Sequence, residues 1–326
     1  MKMDWNNQSK EDEMSRLLSF LTKNSIKNNE LYPIKKNVYK WMTGEEKWIV
    51  KGYTDRKLAA RIRDLHFQLE KNSFQNAPYL HRWNRKELIE IDSKYYLIFL
   101  FMEGDAVNYR MSVQRNQVLQ MLHQFHQLSQ LLPKKILIQF PEERWIERWQ
   151  RRFNQWQSHK ASLMQFLPSS IIQYYTSLGV ESLTRLSLLE KNTGLQHGYL
   201  VHGDVAHHNF IINKSRVALI DFDLASRSHP IIEYVQWANR VLPSIGWQID
   251  LLFDHAIIAD FKDCPVFLTG LLYPGDVYRE WNRFIESKEK NDLRFLSYLN
   301  NLSVKQIHQR KKFVMDVLTR IRKLSV

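Results

Sequence analysis

A chain of 326 residues with 44% hydrophobic content can bury one large two-lobed core or two small ones, and its single cysteine, Cys264, excludes an internal disulfide and any multi-cysteine zinc site. The formal charge of +13 favours anionic ligands, polymers or surfaces over cationic ones, because net charge speaks to partners rather than to fold. The longest clean apolar run, Tyr95 to Met102, is far shorter than the ~20 residues of a membrane helix, and the start MKMDWNNQSKEDEMSRLL lacks a signal-peptide core, so cytoplasmic synthesis without a membrane span is expected.

In chain order, residues 1–30 are polar with one amphipathic segment, a helix around Met14 to Leu21. Residues 31–53 read as three strands punctuated by turn residues at Lys36-Asn37 and Thr43-Gly44. Within 55–71, Leu58, Ile62, Leu65 and Leu69 fall on one helical face. Two more strands follow, Glu87–Ile91 and Tyr95–Met102, separated by Asp92-Ser93. From 104 on the pattern is mainly helical. The segment RWIERWQRRFNQWQ sets Trp145, Trp149, Phe153 and Trp156 along one helix face with Arg144, Arg148, Arg151 and Arg152 around it. Arginines among aromatics also serve single-stranded nucleic acids, but a stripe at helical spacing reads first as core, and a nucleic-acid partner is not expected. The tail, Val304 to Val326, is a basic amphipathic helix with Ile307, Val314, Val317, Leu318 and Ile321 on one side, expected to dock on the body.

The chemistry concentrates at LVHGDVAHHNFIINKSRVALIDFD, residues 200–223. Two short β-type runs, Phe210 to Ile212 and Val217 to Ile220, flank Asn213-Lys214-Ser215-Arg216, a hairpin signature. Setting Ile212 against Ala218 pairs Phe210 with Ile220 and brings Asn209 beside Asp221, with Asp204 in the preceding loop. Like charges at the mouth of a core repel unless a cation intervenes. Phosphoryl transfer needs these parts: a carboxylate to orient the acceptor hydroxyl, Asp204, and a few hard oxygens for Mg²⁺, from Asn209 and Asp221. Lys51, mid-strand in WIVKGY, needs a negative partner, and the α- and β-phosphates of ATP supply one. His202, His207 and His208 share the loop but lack the spacing of a zinc site, and Asp223 either assists at the metal or caps the next element.

His202-Gly203-Asp204 through Asn209, followed by Leu219-Ile220-Asp221-Phe222-Asp223, resembles the aminoglycoside phosphotransferase and choline kinase group of protein-kinase-like proteins, with Gly203 where protein kinases carry Arg. Asn37-Val38-Tyr39-Lys40 and Trp48-Ile49-Val50-Lys51 resemble the first strands and nucleotide-binding lysine of its bacterial spore-coat branch, the CotS-like and YutH-like proteins. Phe101-Met102-Glu103-Gly104 resembles the link between lobes, which makes Met102 and Glu103 nucleotide contacts, and Leu122 to Ser129 resembles the helix after it. The resemblance implies an α+β, two-lobed kinase-like fold, with an N-terminal lobe over 1–103, a five-stranded sheet and a helix, and a helical lobe over 104–326. It implies an ATP- and Mg²⁺-dependent phosphotransferase acting on a hydroxyl acceptor and associated with spore-coat proteins, while the net charge of +13 favours a neutral or anionic acceptor over a cationic one. The alternative is an inactive kinase-like scaffold of the coat. Two departures stand out. No acidic residue of the 55–71 helix matches the usual partner of the lysine, Asp64 and Glu70 being the candidates, and Lys35-Lys36-Asn37 replaces the glycine-rich phosphate loop.

Overall fold

The computed structural model describes residues 5–24, 28–193, 198–287 and 292–324. The chain divides into two compact units, one of Met1–Ala106, Leu131–Phe140 and Asn209–Asp223, the other of Val107–Gln130, Pro141–His208 and Leu224–Val326. The class is α+β, as expected.

The first unit is built on an antiparallel sheet of β1 (Asn29–Lys35), β2 (Val38–Thr43), β3 (Glu46–Tyr53), β4 (Ile89–Ile91) and β5 (Lys94–Leu100), in the order β1-β2-β3-β5-β4. Tight turns set its register. Asn37 (φ 59°) and Gly44 (φ 60°) adopt left-handed backbone at the first two, and Asp92 (φ 50°) and Ser93 (φ 61°) both do at the third, the geometry that matches strand twist in two-residue hairpins. Helix α1 (Trp5–Asn24), longer than the expected Met14–Leu21 core, buries Leu17 and Leu21 with Tyr39, Trp41, Val50, Tyr96 and Ile98. Its Glu13 fastens it to β5, accepting from Lys94 Nζ at 2.5 Å and Tyr96 Oη at 2.9 Å. Helix α2 (Arg56–Lys71) starts at Asp55, whose carboxylate accepts from the Lys57 N–H at 2.8 Å, an N-cap contributing ~1 kcal/mol. Ala59 and His66 join Ile62, Leu65 and Leu69 on its buried face, and the His66 ring lies 4.8 Å from that of Phe99 on β5.

The hairpin read from residues 210–220 belongs to this unit. Strands Phe210–Asn213 and Arg216–Leu219 form a small sheet with β6 (Asp105–Ala106). The register differs by one residue from the sequence reading: Ile212 faces Val217 and Phe210 faces Leu219. The turn is the two-residue Lys214-Ser215, made possible by left-handed backbone at Lys214 (φ 54°), where a four-residue turn was expected. Asn76 ties the hairpin down, its C=O accepting from Leu219 N at 2.6 Å and its Nδ2 donating to Val217 O at 2.9 Å.

The second unit is mainly helical, with a two-stranded ribbon of Tyr199–Val201 and Ser226–Ser228. In the Trp145–Ser158 helix the aromatic stripe is core: Trp145, Trp149, Phe153 and Trp156 are all buried, and Trp149 stacks on Tyr273 with ring centroids 4.2 Å apart. The Ile307–Leu324 helix docks through Ile307, Phe313, Val314, Val317 and Ile321, and the last two residues of the expected tail helix lie outside the described residues. Among the described residues no helix is long and apolar enough to cross a membrane.

Candidate active site

In the first unit the chemistry gathers on Lys51. Strand alternation puts its side chain on the same face as that of Tyr53, and the sheet pairs it with Val38 and Leu97, at the β1–β2 turn end. Its Nζ lies 2.6 Å from Asp221 Oδ1 and 2.6 Å from Asp223 Oδ2, with the lysine side chain only 15% exposed. Both carboxylates therefore share one cation. Lys35, the last residue of β1 before the Lys36-Asn37 turn, adds a second positive charge 3.6 Å from Asp221 Oδ2. Tyr53 Oη donates to Asp223 Oδ1 at 3.1 Å, and burial followed by the Asp223 charge holds its pKa well above the ordinary value, so it stays a donor at neutral pH. The hairpin fixes Asp221 from the other direction: Ile220 N donates to Asn209 O at 3.0 Å, and Asp221 itself takes left-handed backbone (φ 67°). A non-glycine residue held there stores strain of order 1 kcal/mol, tolerated best by Asp and Asn.

The helix acid is absent from this cluster for a visible reason. Asp64 is engaged by Arg63 at 2.7 Å and Glu70 by Arg85 at 2.6 Å. Lys51 finds its carboxylates after the hairpin, at Asp221 and Asp223. Met102 and Glu103 lie in the irregular link between β5 and β6, where Glu103 Oε1 sits 2.6 Å from Lys47 Nζ.

Asp204 belongs to the second unit, in a loop shaped by groups the sequence did not flag. The Gly203 N–H donates to Glu233 Oε1 at 2.7 Å, and Glu233 Oε2 meets His126 Nε2 at 2.7 Å, with both side chains buried. Burial pushes the Glu233 pKa up, but the His126 hydrogen bond and charge, His202 and the Gly203 amide outweigh it and leave the value below the ordinary one. Gly203 has φ 83°, and a Cβ there would stand 2.3 Å from Leu224 O, so only glycine fits where protein kinases place arginine. Tyr109 Oη braces the next residue by donating to Val205 O at 2.8 Å. The Asp204 carboxylate itself has Arg240 Nη2 at 3.3 Å. Glu233 was detectable in principle, as the one acid in the apolar run PIIEYV; its partner Gly203, 30 residues earlier, was not. Tyr53 was detectable from its i, i+2 relation to Lys51.

Among the described residues no group of three or more His, Cys, Asp or Glu gathers as a metal site. Mg²⁺ asks for less, one or two carboxylates beside waters and phosphate oxygens. The donor chemistry fits it: Asp221, Asp223 and the Asn209 amide are hard oxygens, and the two carboxylates already require a cation between them.

The sequence matches the phosphotransferase enzyme family over residues 36–250. No curated protein matches the chain by sequence. The fold is similar to that of an aminoglycoside phosphotransferase from Alicyclobacillus acidocaldarius, at 14% identity and a TM-score of 0.70, over 93% of this chain and 95% of that one. It is also similar to spectinomycin phosphotransferase solved with ADP and spectinomycin (14% identity, TM-score 0.54, 95% of this chain and 98% of that one). A third similar structure, a phosphotransferase solved with GDP and kanamycin, has 14% identity and a TM-score of 0.57 over 91% of this chain and 98% of that one. The architecture is kinase-like.

Proposed function

We propose that this chain, which belongs to the phosphotransferase enzyme family, transfers a phosphoryl group from ATP to the hydroxyl of a small acceptor. The observation that carries the reading is the Lys51 cluster, a lysine shared at 2.6 Å by two carboxylates that follow an Asn-ended hairpin. Lys51 and Lys35 would bind phosphate oxygens, Met102 and Glu103 would contact the base, and Asn209 and Asp221 would hold Mg²⁺ with Asp223 in support. Bound MgATP supplies the transferable group, with the cation offsetting its charge. Asp204 orients the acceptor hydroxyl and takes its proton onto a carboxylate oxygen as that hydroxyl oxygen bonds to phosphorus and the diphosphate leaves. Glu233 keeps the Asp204 loop in place through the Gly203 amide.

Calorimetric titration with MgATP, paired with an ADP-release assay, tests this. Asp221→Asn is expected to weaken Mg²⁺-dependent nucleotide binding, and Asp204→Asn to leave it intact. Unchanged affinity in Asp221→Asn, or no binding by the unaltered protein, sinks the proposal.

One observation favours a second reading, a kinase-shaped scaffold without turnover: α2 offers Lys51 no carboxylate and Lys35-Lys36-Asn37 stands in for the glycine loop. Spore-coat association is the finer part of either reading, supported by the resemblance at residues 37–51. Recovery of the tagged chain in the coat fraction of a sporulating host tests it.

A further inference from the structure

Beside Asp204 the second unit opens a cavity of about 190 Å³ whose wall carries four arginines, Arg148, Arg152, Arg240 and Arg279, against two carboxylates, Asp204 and Asp276. Three of the four arginines have a carboxylate neighbour, and the fourth does not. Asp276 is paired with Arg310, a guanidinium buried behind the cavity. Asp204 has Arg240 at 3.3 Å. Glu280 divides between Arg279 and Arg283, at 2.8 Å from each. Arg148 meets Glu143 at 3.2 Å, yet its Nε finds no hydrogen-bond partner among the described residues. Arg152 has no carboxylate partner among the described residues at all. Burial, then the charges of Arg148 and Arg279, bring its pKa down to about 10, which still leaves it charged at neutral pH.

Partly buried like charges repel, and a guanidinium without a carboxylate leaves donors unused. A phosphate or carboxylate entering the cavity would satisfy both deficits with paired, charge-assisted hydrogen bonds, whereas a cation would meet the unpaired Arg152 beside three guanidiniums that already hold their carboxylates. The volume is below the ~300–1,000 Å³ typical of drug-sized pockets, which favours a small ligand over a multi-ring one. Resting on the phosphotransferase reading, we propose that this cavity is the acceptor subsite and that the acceptor is a small alcohol bearing its own phosphate or carboxylate. That anion sits on Arg152, Arg148 and Arg279, which leaves the hydroxyl at Asp204.

The test is calorimetry on the full-length protein with glycerol 3-phosphate, glycerate, glycerol and kanamycin, each with and without MgATP. The anionic alcohols are expected to bind at least tenfold more tightly than glycerol, and which of the two wins distinguishes phosphate from carboxylate. Arg152→Gln should erase that preference without altering nucleotide affinity, and Arg152→Lys should restore part of it. Arg279→Gln, at a second position on the wall, repeats the test should Arg152→Gln fail to fold. Glycerol or kanamycin binding as well as the anions, or an anion preference intact in both glutamine variants, overturns the inference. Absence of MgATP binding would instead sink the phosphotransferase reading, while the anion titrations still decide the character of the cavity.

Discussion

The two units handle charge in opposite ways. In the sheet unit, Lys51 stands between Asp221 and Asp223 and the cluster closes on itself, with Lys35 in reserve. In the helical unit, four arginines line one cavity, and the two carboxylates beside them are already ion-paired. A closed cluster is fixed in shape and is opened by a ligand that competes for its members. A cluster with surplus charge is selective before any ligand arrives, because it rejects one sign. Division of labour follows: the first suits a common cosubstrate, the second a particular acceptor.

That contrast can be broken at either end. The largest effect is expected from Asp204→Asn, a loss of ~10²–10⁴ in transfer rate with anion binding in the cavity retained, measured by ADP release and calorimetry side by side. Next is Glu233→Gln, which keeps an acceptor for the Gly203 amide but removes the charge paired with buried His126. Breaking a buried pair of this kind costs about 3 kcal/mol, read from urea unfolding, and transfer should fall with it. Lys51→Met leaves two facing carboxylates with only the more distant Lys35 beside Asp221; with those groups nearly a third exposed, solvent screening trims the cost to about 2 kcal/mol, and added Mg²⁺ should recover part of the lost thermal stability.

A comparable but no larger effect sharpens the contrast from outside the site. His81 packs among Trp41, Trp48 and Trp83, and burial, with Arg82 beside it, brings its pKa down to about 4. Between that value and the ordinary 6.5 the unfolded chain holds more protons than the folded one, so stability falls as pH drops below 6.5. The loss is expected to reach ~2 kcal/mol by pH 5, to be centred on the sheet unit, and to shrink in His81→Asn when unfolding is followed at pH 5 and 7.5.

Much of the scaffold was legible because local patterns and final geometry agree. The 4, 3, 4 spacing of Leu58, Ile62, Leu65 and Leu69 became α2, and the turn at Asp92-Ser93 separates the last two strands as read. The hairpin was legible as a hairpin, but its register was not, because nothing in NKSR advertises that Lys214 will turn left-handed without glycine. The carboxylate partners of Lys51 were sought on α2 by family habit and stand 170 residues downstream at Asp221 and two further at Asp223. Arg148 and Arg152 read as the polar trim of an aromatic stripe; only folding sets them in one wall with Arg240 and Arg279. Sequence exposes periodicity within an element, whereas charge surplus arises between elements.

The sheet unit is assembled from three separated stretches of chain, and its last contribution, Asn209–Asp223, is pinned by Asn76. Synthesis runs from the N-terminus, so β1 to β5 leave the ribosome long before the hairpin that completes their unit. At ~5–20 residues per second, the 103 residues from the end of Ala106 to Asn209 impose a wait of roughly 5–20 s during which Lys51 has neither of its carboxylates. Nascent chains arrested before residue 209 should therefore show the sheet unit protease-sensitive, and those arrested once residue 223 has cleared the exit tunnel should show it protected.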